Sequence, residues 1–179
     1  PFLMAARGSL MDLCYAMGDA DGALEESRIL LRQPENDLTR PILCHTCLLA
    51  ADILLDRLDT AGVVDHLRRT GALMRQLPPE ADPDRRLRFR LHTAWARYYF
   101  SSAEEPSGLS RMELHAKQAY LLARQEKYGG EDVLVAINNL LYPLAYSSQD
   151  REAVRLVREA AGLIDAEGLH HTRAAAIVG

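Results

Sequence analysis

Apolar residues recur at three- and four-residue spacing along almost the whole chain, and short clusters of Gly, Pro, Asp and Ser interrupt them at fairly regular intervals. That period predicts helices with one buried face each. The first covers about Phe2 to Met17, with Leu10, Leu13 and Cys14 on its buried side. Asp19 or Asp21 caps a second helix that runs to about Arg32, and Pro34 closes the unit. A third starts near Pro41 and continues to about Leu58; a fourth runs from about Thr60 to Leu77 and stops at Pro78-Pro79. Pro79 to Pro83 is a loop, and Asp82 with Pro83 makes a cap and first-turn pair for a fifth helix, about Asp84 to Ser101.

After a break at Glu104 to Ser107, Ser110 and Glu113 have capping-box spacing, with Leu109 and Leu114 placed as a hydrophobic staple. This sixth helix ends at Gly129-Gly130. A seventh spans about Glu131 to Tyr146, and an eighth about Asp150 to Ala166, closed by Gly168. A ninth begins at Leu169 and runs to the end of the sequence. Turns near Gly18, Leu58, Ala103 and Ser148 make four antiparallel hairpins, about 2–33, 39–77, 83–128 and 131–167, with the start of another helix at 169–179. No low-complexity stretch separates them, so one domain over 1–179 is expected. The chain opens at Pro1 and stops inside the ninth helix, which is the pattern of a piece of a longer protein.

Composition narrows the class. Of the residues, 48% are hydrophobic but only 6% aromatic, and Leu and Ala dominate over β-branched types, which fits an all-α chain. The net charge of -4 gives no electrostatic support for binding nucleic acid. No apolar run reaches the length of a membrane span, and the N-terminus lacks the layout of a signal peptide. Three cysteines fit a reducing compartment better than a disulfide framework, so a cytoplasmic location is expected.

The first hairpin carries Gly18-Asp19 at its turn, Ala23 where two helices must touch, and Pro34 near its end. In these residues it resembles a tetratricopeptide repeat, with Pro34 about one position early. The fourth hairpin is more loosely similar, through Asn138, Asn139, Tyr142 and Ala153. The second and third match only in helix length and order, and the period of about 40 to 45 residues exceeds the roughly 34 of that family. The resemblance implies an α-solenoid, a right-handed superhelix of about four hairpins. Long, degenerate repeats of this kind look like the regulatory solenoids of bacterial signalling proteins, such as LuxR-type or MalT-like activators and some diguanylate cyclases.

Few residues carry chemistry. Cys44-His45-Thr46-Cys47 lacks a second ligand pair and lies mid-helix, so buried structural thiols are expected rather than a zinc or redox site. His170 and His171 point about 100° apart on a helix and cannot readily share one metal. No phosphate loop, nucleophile elbow or metalloprotease motif is present. No catalytic residue, metal or cofactor is therefore assigned.

Two helix faces are better candidates. Arg86, Arg90, Thr93 and Arg97 fall on one side of the fifth helix, opposite Leu87, Leu91, Ala94, Trp95 and Tyr98. Three guanidinium groups in a row suit a carboxylate or phosphate; the alternative is a solvated face paired with Asp84, Glu104 or Glu105. On the seventh helix Asn138, Tyr142 and Tyr146 form a polar-aromatic stripe at four-residue spacing, interrupted by Pro143, which should kink the helix and free the Asn139 carbonyl. In tetratricopeptide repeats, positions corresponding to Asn138 and Tyr142 face the concave groove; packing of Tyr142 and Tyr146 between hairpins is the alternative.

The expected function is a non-enzymatic regulatory or sensory module that binds a peptide, a protein segment or a small anionic ligand on its concave face. The alternative is a scaffold or homodimerisation module, which an exposed apolar strip on the first or the ninth helix would favour; a helical enzyme or carrier ranks below both.

Overall fold

A computed structural model describes residues 2–102 and 106–172. Among them the chain is all-α: α1 (Phe2–Ala16), α2 (Ala20–Leu30), α3 (Arg40–Asp56), α4 (Thr60–Met74), α5 (Arg86–Ser101), α6 (Pro106–Gln125), α7 (Gly130–Tyr146) and α8 (Asp150–Glu167), with one 3-10 turn at Pro79–Ala81. It divides into two compact units, Pro1–Ala94 and Trp95–Gly179, and the division falls within α5. Ala103, Glu104, Glu105 and 173–179 lie outside the described residues, and with them the third expected turn and most of the ninth helix. Leu169 to Thr172 form a turn, closed by the Thr172 N–H on the Leu169 carbonyl at 2.9 Å.

In the first unit α1 packs on α2, α3 on α4, and α3 also meets α1 and α2. Most of the circumference of α3 is apolar and buried, with His45 and Asp52 as polar exceptions, which suits a helix enclosed by others. Its Leu43, Cys44, Cys47, Ala50 and Ile53 join Met4, Met11, Ala23, Leu30 and Leu73 in one core. Ala23 and Ala50 are fully buried, and their short side chains let neighbouring backbones approach. Leu87 and Leu91, at the start of α5, pack against the same cluster.

In the second unit α7 is the central helix, packed on α6 and α8. Its Val133, Leu134, Ile137, Leu140 and Leu144 are buried. The facing stripe of α6 is nearly all small: Ala116, Ala119 and Ala123 have no exposed surface. Leu156 and Ala160 supply the buried side of α8.

Each described hairpin turn depends on a residue in the left-handed region. Gly18 (φ 80°), Leu58 (φ 58°) and Ser148 (φ 57°) follow α1, α3 and α7. In each case the next amide reaches back over five residues to the helix: Asp19 to the Cys14 carbonyl at 2.8 Å, Asp59 to Leu54 at 2.9 Å, and Gln149 to Leu144 at 3.1 Å. This is the Schellman closure of a helix end. Lys127 (φ 53°) and Gly168 (φ 66°) end α6 and α8 in the same way. At the first turn the new helix is capped at once, because Asp19 Oδ1 accepts from the Gly22 N–H at 2.8 Å. A Cβ at position 22 would overlap that carboxylate, so a larger residue there displaces the Asp19 cap.

Several local expectations fail for identifiable reasons. α6 begins at Pro106, one turn before the expected cap, because proline suits the first helical position. Ser110 therefore lies inside the helix, Leu114 is 57% exposed rather than a staple, and Glu113 pairs with Lys117 Nζ at 2.7 Å. α5 starts at Arg86, later than expected: Asp82 Oδ1 accepts from the Leu87 N–H and Asp84 Oδ1 from the Arg86 N–H. On α1 the buried residues are Met4, Gly8 and Met11, whereas Leu10 and Leu13 are 43% and 54% exposed. Met17, at the end of this helix, is also exposed.

Leu58 bears a side chain where glycine is favoured, since an L-residue in this region costs about 1–2 kcal/mol. Leu58→Gly should raise unfolding free energy by about 0.5–1 kcal/mol in urea melts, the unfolded-state entropy of glycine offsetting part of the relief. Gly18→Ala should lower it by about 1 kcal/mol. Opposite signs at the two sites test the turn geometry; a loss at both contradicts it.

Candidate functional site

The two helix faces singled out in the sequence turn out to differ in kind. The arginines of α5 are engaged. Arg90 Nη1 lies 2.9 Å from His45 Nδ1 and Arg90 Nη2 lies 3.3 Å from Asp52 Oδ2, while His45 Nε2 lies 2.7 Å from Asp12 Oδ1. A guanidinium only donates, so His45 Nδ1 must be the acceptor, and Nε2 carries the proton and donates it to Asp12. The result is a polar relay, Asp12–His45–Arg90–Asp52, that ties α1, α3 and the start of α5 together. Arg86 lies 3.9 Å from Asp84, the pairing anticipated as the alternative. Arg97 accepts the Ser101 hydroxyl at its carbonyl and belongs to the second unit. Its proposed partners Glu104 and Glu105 lie outside the described residues. His45, passed over as part of the cysteine motif, is the residue that sequence reasoning missed here. Its only signal was a polar ring among apolar neighbours of α3.

The two cysteines beside it are closed off. Cys44 and Cys47 are fully buried, and burial pushes their thiols up to about 12 and about 11. A neutral, enclosed thiol is a poor nucleophile and a poor metal ligand. Among the described residues no group of three or more His, Cys, Asp or Glu side chains is placed to hold a metal ion.

The α7 stripe is different. Tyr142 and Tyr146 stack obliquely with ring centroids 4.7 Å apart, and Phe100, near the end of α5, meets Tyr142 edge-on at 4.7 Å. Phe100 is 51% and Tyr146 65% exposed, so two of the three rings face outward. Hydrogen bonding between the two phenols is the main reason the Tyr142 hydroxyl is held above its ordinary value. Asn138 is half-buried on the same helix. Asn139 shares the face of Tyr142 and Tyr146 through its three- and seven-residue spacing. Its Nδ2 is buried without a hydrogen-bond partner among the described residues. α7 continues through Pro143, which leaves the Asn139 carbonyl without its helical donor.

A second set of rings lies at the α5–α6 contact. Trp95 and Tyr98, on the side of α5 opposite the arginines, are half-buried. Trp95 stacks on Tyr99 at 5.5 Å and on His115 at 5.7 Å, and Arg111 covers Tyr99 at 5.9 Å. Phe100 and Tyr99 were missed because the helical period of α5 was assigned from its arginines.

Among the described residues no helix is long and apolar enough to cross a membrane. Comparison of the chain with protein-family models, with curated proteins and with solved structures gives no match. The class defined at this point is an all-α protein of packed helix pairs.

Two measurements check this reading. Alkylation at pH 8 should label Cys14, which is part-exposed, and leave Cys44 and Cys47 unmodified until the protein unfolds. Because their folded values lie above an unfolded thiol, these cysteines support the fold below about pH 9 and withdraw that support as pH rises further. For the relay, Arg90→Met should cost about 0.5–1.5 kcal/mol of unfolding free energy, since it strips hydrogen bonds from His45 and Asp52.

Proposed function

We propose that the chain is a non-enzymatic interaction module of tetratricopeptide-like hairpins, and that it binds an extended peptide or protein segment along α7. The observation that carries this reading is the ladder of Phe100, Tyr142 and Tyr146, in which half-buried Tyr142 joins two exposed rings. Aromatic residues combine large apolar area with few side-chain torsions, so they lose little entropy on being covered. Tyrosine adds a polar tip that can meet a peptide backbone. The phenol hydroxyl of exposed Tyr146 can both donate to a backbone carbonyl and accept from a backbone N–H, and an extended segment offers both at every residue.

The arginine row is not part of this surface. Arg90 is held by His45 and Asp52, and freeing it for an anion would break the relay. A small anionic ligand is thus the weaker reading. In the setting that the hairpin resemblance implies, binding at α7 would regulate an attached domain of a bacterial signalling or transcription-regulating protein.

The test uses a peptide selected from a random library against the intact chain. Tyr142→Ala and Phe100→Ala should each weaken its binding by about tenfold or more, as for aromatic anchors elsewhere, with the helical circular dichroism unchanged. Affinity within twofold of the unaltered chain for both variants would remove α7 from the binding surface.

A further inference from the structure

The relay Asp12–His45–Arg90–Asp52 differs in kind from the local ion pairs of the first unit. Arg28–Glu25 and Arg40–Asp37 each join residues three apart in the chain, and neither pair changes charge near neutral pH. The relay instead crosses α1, α3 and α5, and at its centre stands a histidine, whose ordinary titration falls between pH 5 and 8. The His45 side chain is 34% exposed, so protons from solvent reach it.

The two ring nitrogens face opposite demands. Nε2 donates to Asp12 Oδ1 at 2.7 Å, and Nδ1, bare of hydrogen, accepts from Arg90 Nη1 at 2.9 Å. Only the neutral Nε2–H tautomer serves both. A proton taken from water onto Nδ1 turns that atom into a donor, which then meets the donating guanidinium, cation against cation. On the other side of the ring the same proton makes the bond to Asp12 charge-assisted and so stronger. Arg90 keeps one partner, Asp52 Oδ2 at 3.3 Å. The other charged groups on the surrounding helices have partners of their own. On α5 Arg86 lies 3.9 Å from Asp84, on α1 Arg7 holds Glu26 of α2, and Asp56 of α3 accepts from the Tyr15 hydroxyl. Asp82, Glu35 and Arg69 act on the side of α3 that bears Cys44 and Cys47.

We propose that the relay is a proton switch: protonation of His45 moves its hold from α5 to α1, freeing the start of α5 while tightening the α1–α3 pair. Leu87 and Leu91 keep their apolar contact with the core of the first unit, so the released segment loosens without leaving. The closed form belongs to pH above the histidine range and the loosened form to pH below it. The switch lies in the first unit and does not rest on the peptide reading of α7, so either can fail without the other.

Hydrogen exchange of the intact chain at pH 7.5 and pH 5, corrected for the intrinsic pH dependence of amide exchange, tests the switch. Protection at residues 90–93 should fall about tenfold at the lower pH, the equivalent of one lost hydrogen bond to a charged group, while protection of α1 holds or rises. His92 also lies on α5, where burial holds it below its ordinary value, and its charging would loosen the helix too. His45→Gln separates the two. Glutamine spans the same pair of hydrogen bonds without titrating, so protection at 90–93 should then be the same at both pH values. A fall of equal size in that variant, or no fall in the unaltered chain, overturns the proposal. Should the variant fail to fold, nitrogen spectroscopy of the imidazole in the unaltered chain supplies a second readout. His45 should be the Nε2–H tautomer at pH 7.5 and doubly protonated at pH 5. The Nδ1–H tautomer at pH 7.5, or a neutral ring at pH 5, overturns the switch.

Discussion

The structure depends on reversing the chain at the end of a helix without leaving carbonyls unpaired. At Gly18, Leu58 and Ser148 one residue adopts the left-handed conformation, and the following amide closes the last turn over five residues. The next helix begins within two residues, so each pair is antiparallel and in close contact by construction. Because the turns share one geometry, Asp12, Asp52 and Tyr142 all stand the same distance before their left-handed residue. They therefore hold the same place on α1, α3 and α7.

That shared position explains how two units of similar build come to present different chemistry. In the first unit it holds the carboxylates Asp12 and Asp52, which anchor the two ends of a relay through His45 and Arg90. The polar groups there satisfy one another and lock helices together, leaving little for a ligand to recognise. In the second unit the equivalent position holds Tyr142, flanked by Phe100 and Tyr146, and its chemistry points outward. A face that has answered its own hydrogen bonds serves the fold; a face that has not is available to a partner.

The order and most boundaries of the eight described helices were legible in the sequence, because the buried stripes have strict helical period and Gly18, Asp19 and Gly168 mark turns with their own chemistry. The turns at Leu58 and Ser148 could be located but not explained, since neither residue advertises a left-handed backbone. Where two local signals compete, the first-turn proline prevails: Pro106 starts α6 ahead of the Ser110–Glu113 spacing. α1 misled more seriously. It has two apolar faces, and periodicity alone cannot say which is inside, so Leu10 and Leu13 were assigned to the core that Met4 and Met11 occupy. The arginine row was visible, but its engagement was not, because the partners His45 and Asp52 lie far away in sequence. Tyr142 and Tyr146 were legible as a stripe; Phe100 was not, since its contact with Tyr142 is made only by tertiary packing.

The central claim is that recognition resides on the aromatic face of α7 and not on the relay of the first unit. Chemical-shift mapping of the isotopically labelled chain with a bound peptide tests it most directly. The account predicts the largest changes at Phe100, Asn139, Tyr142 and Tyr146, with Asp12, His45 and Arg90 unmoved. Changes centred on the relay, with α7 unperturbed, would contradict it.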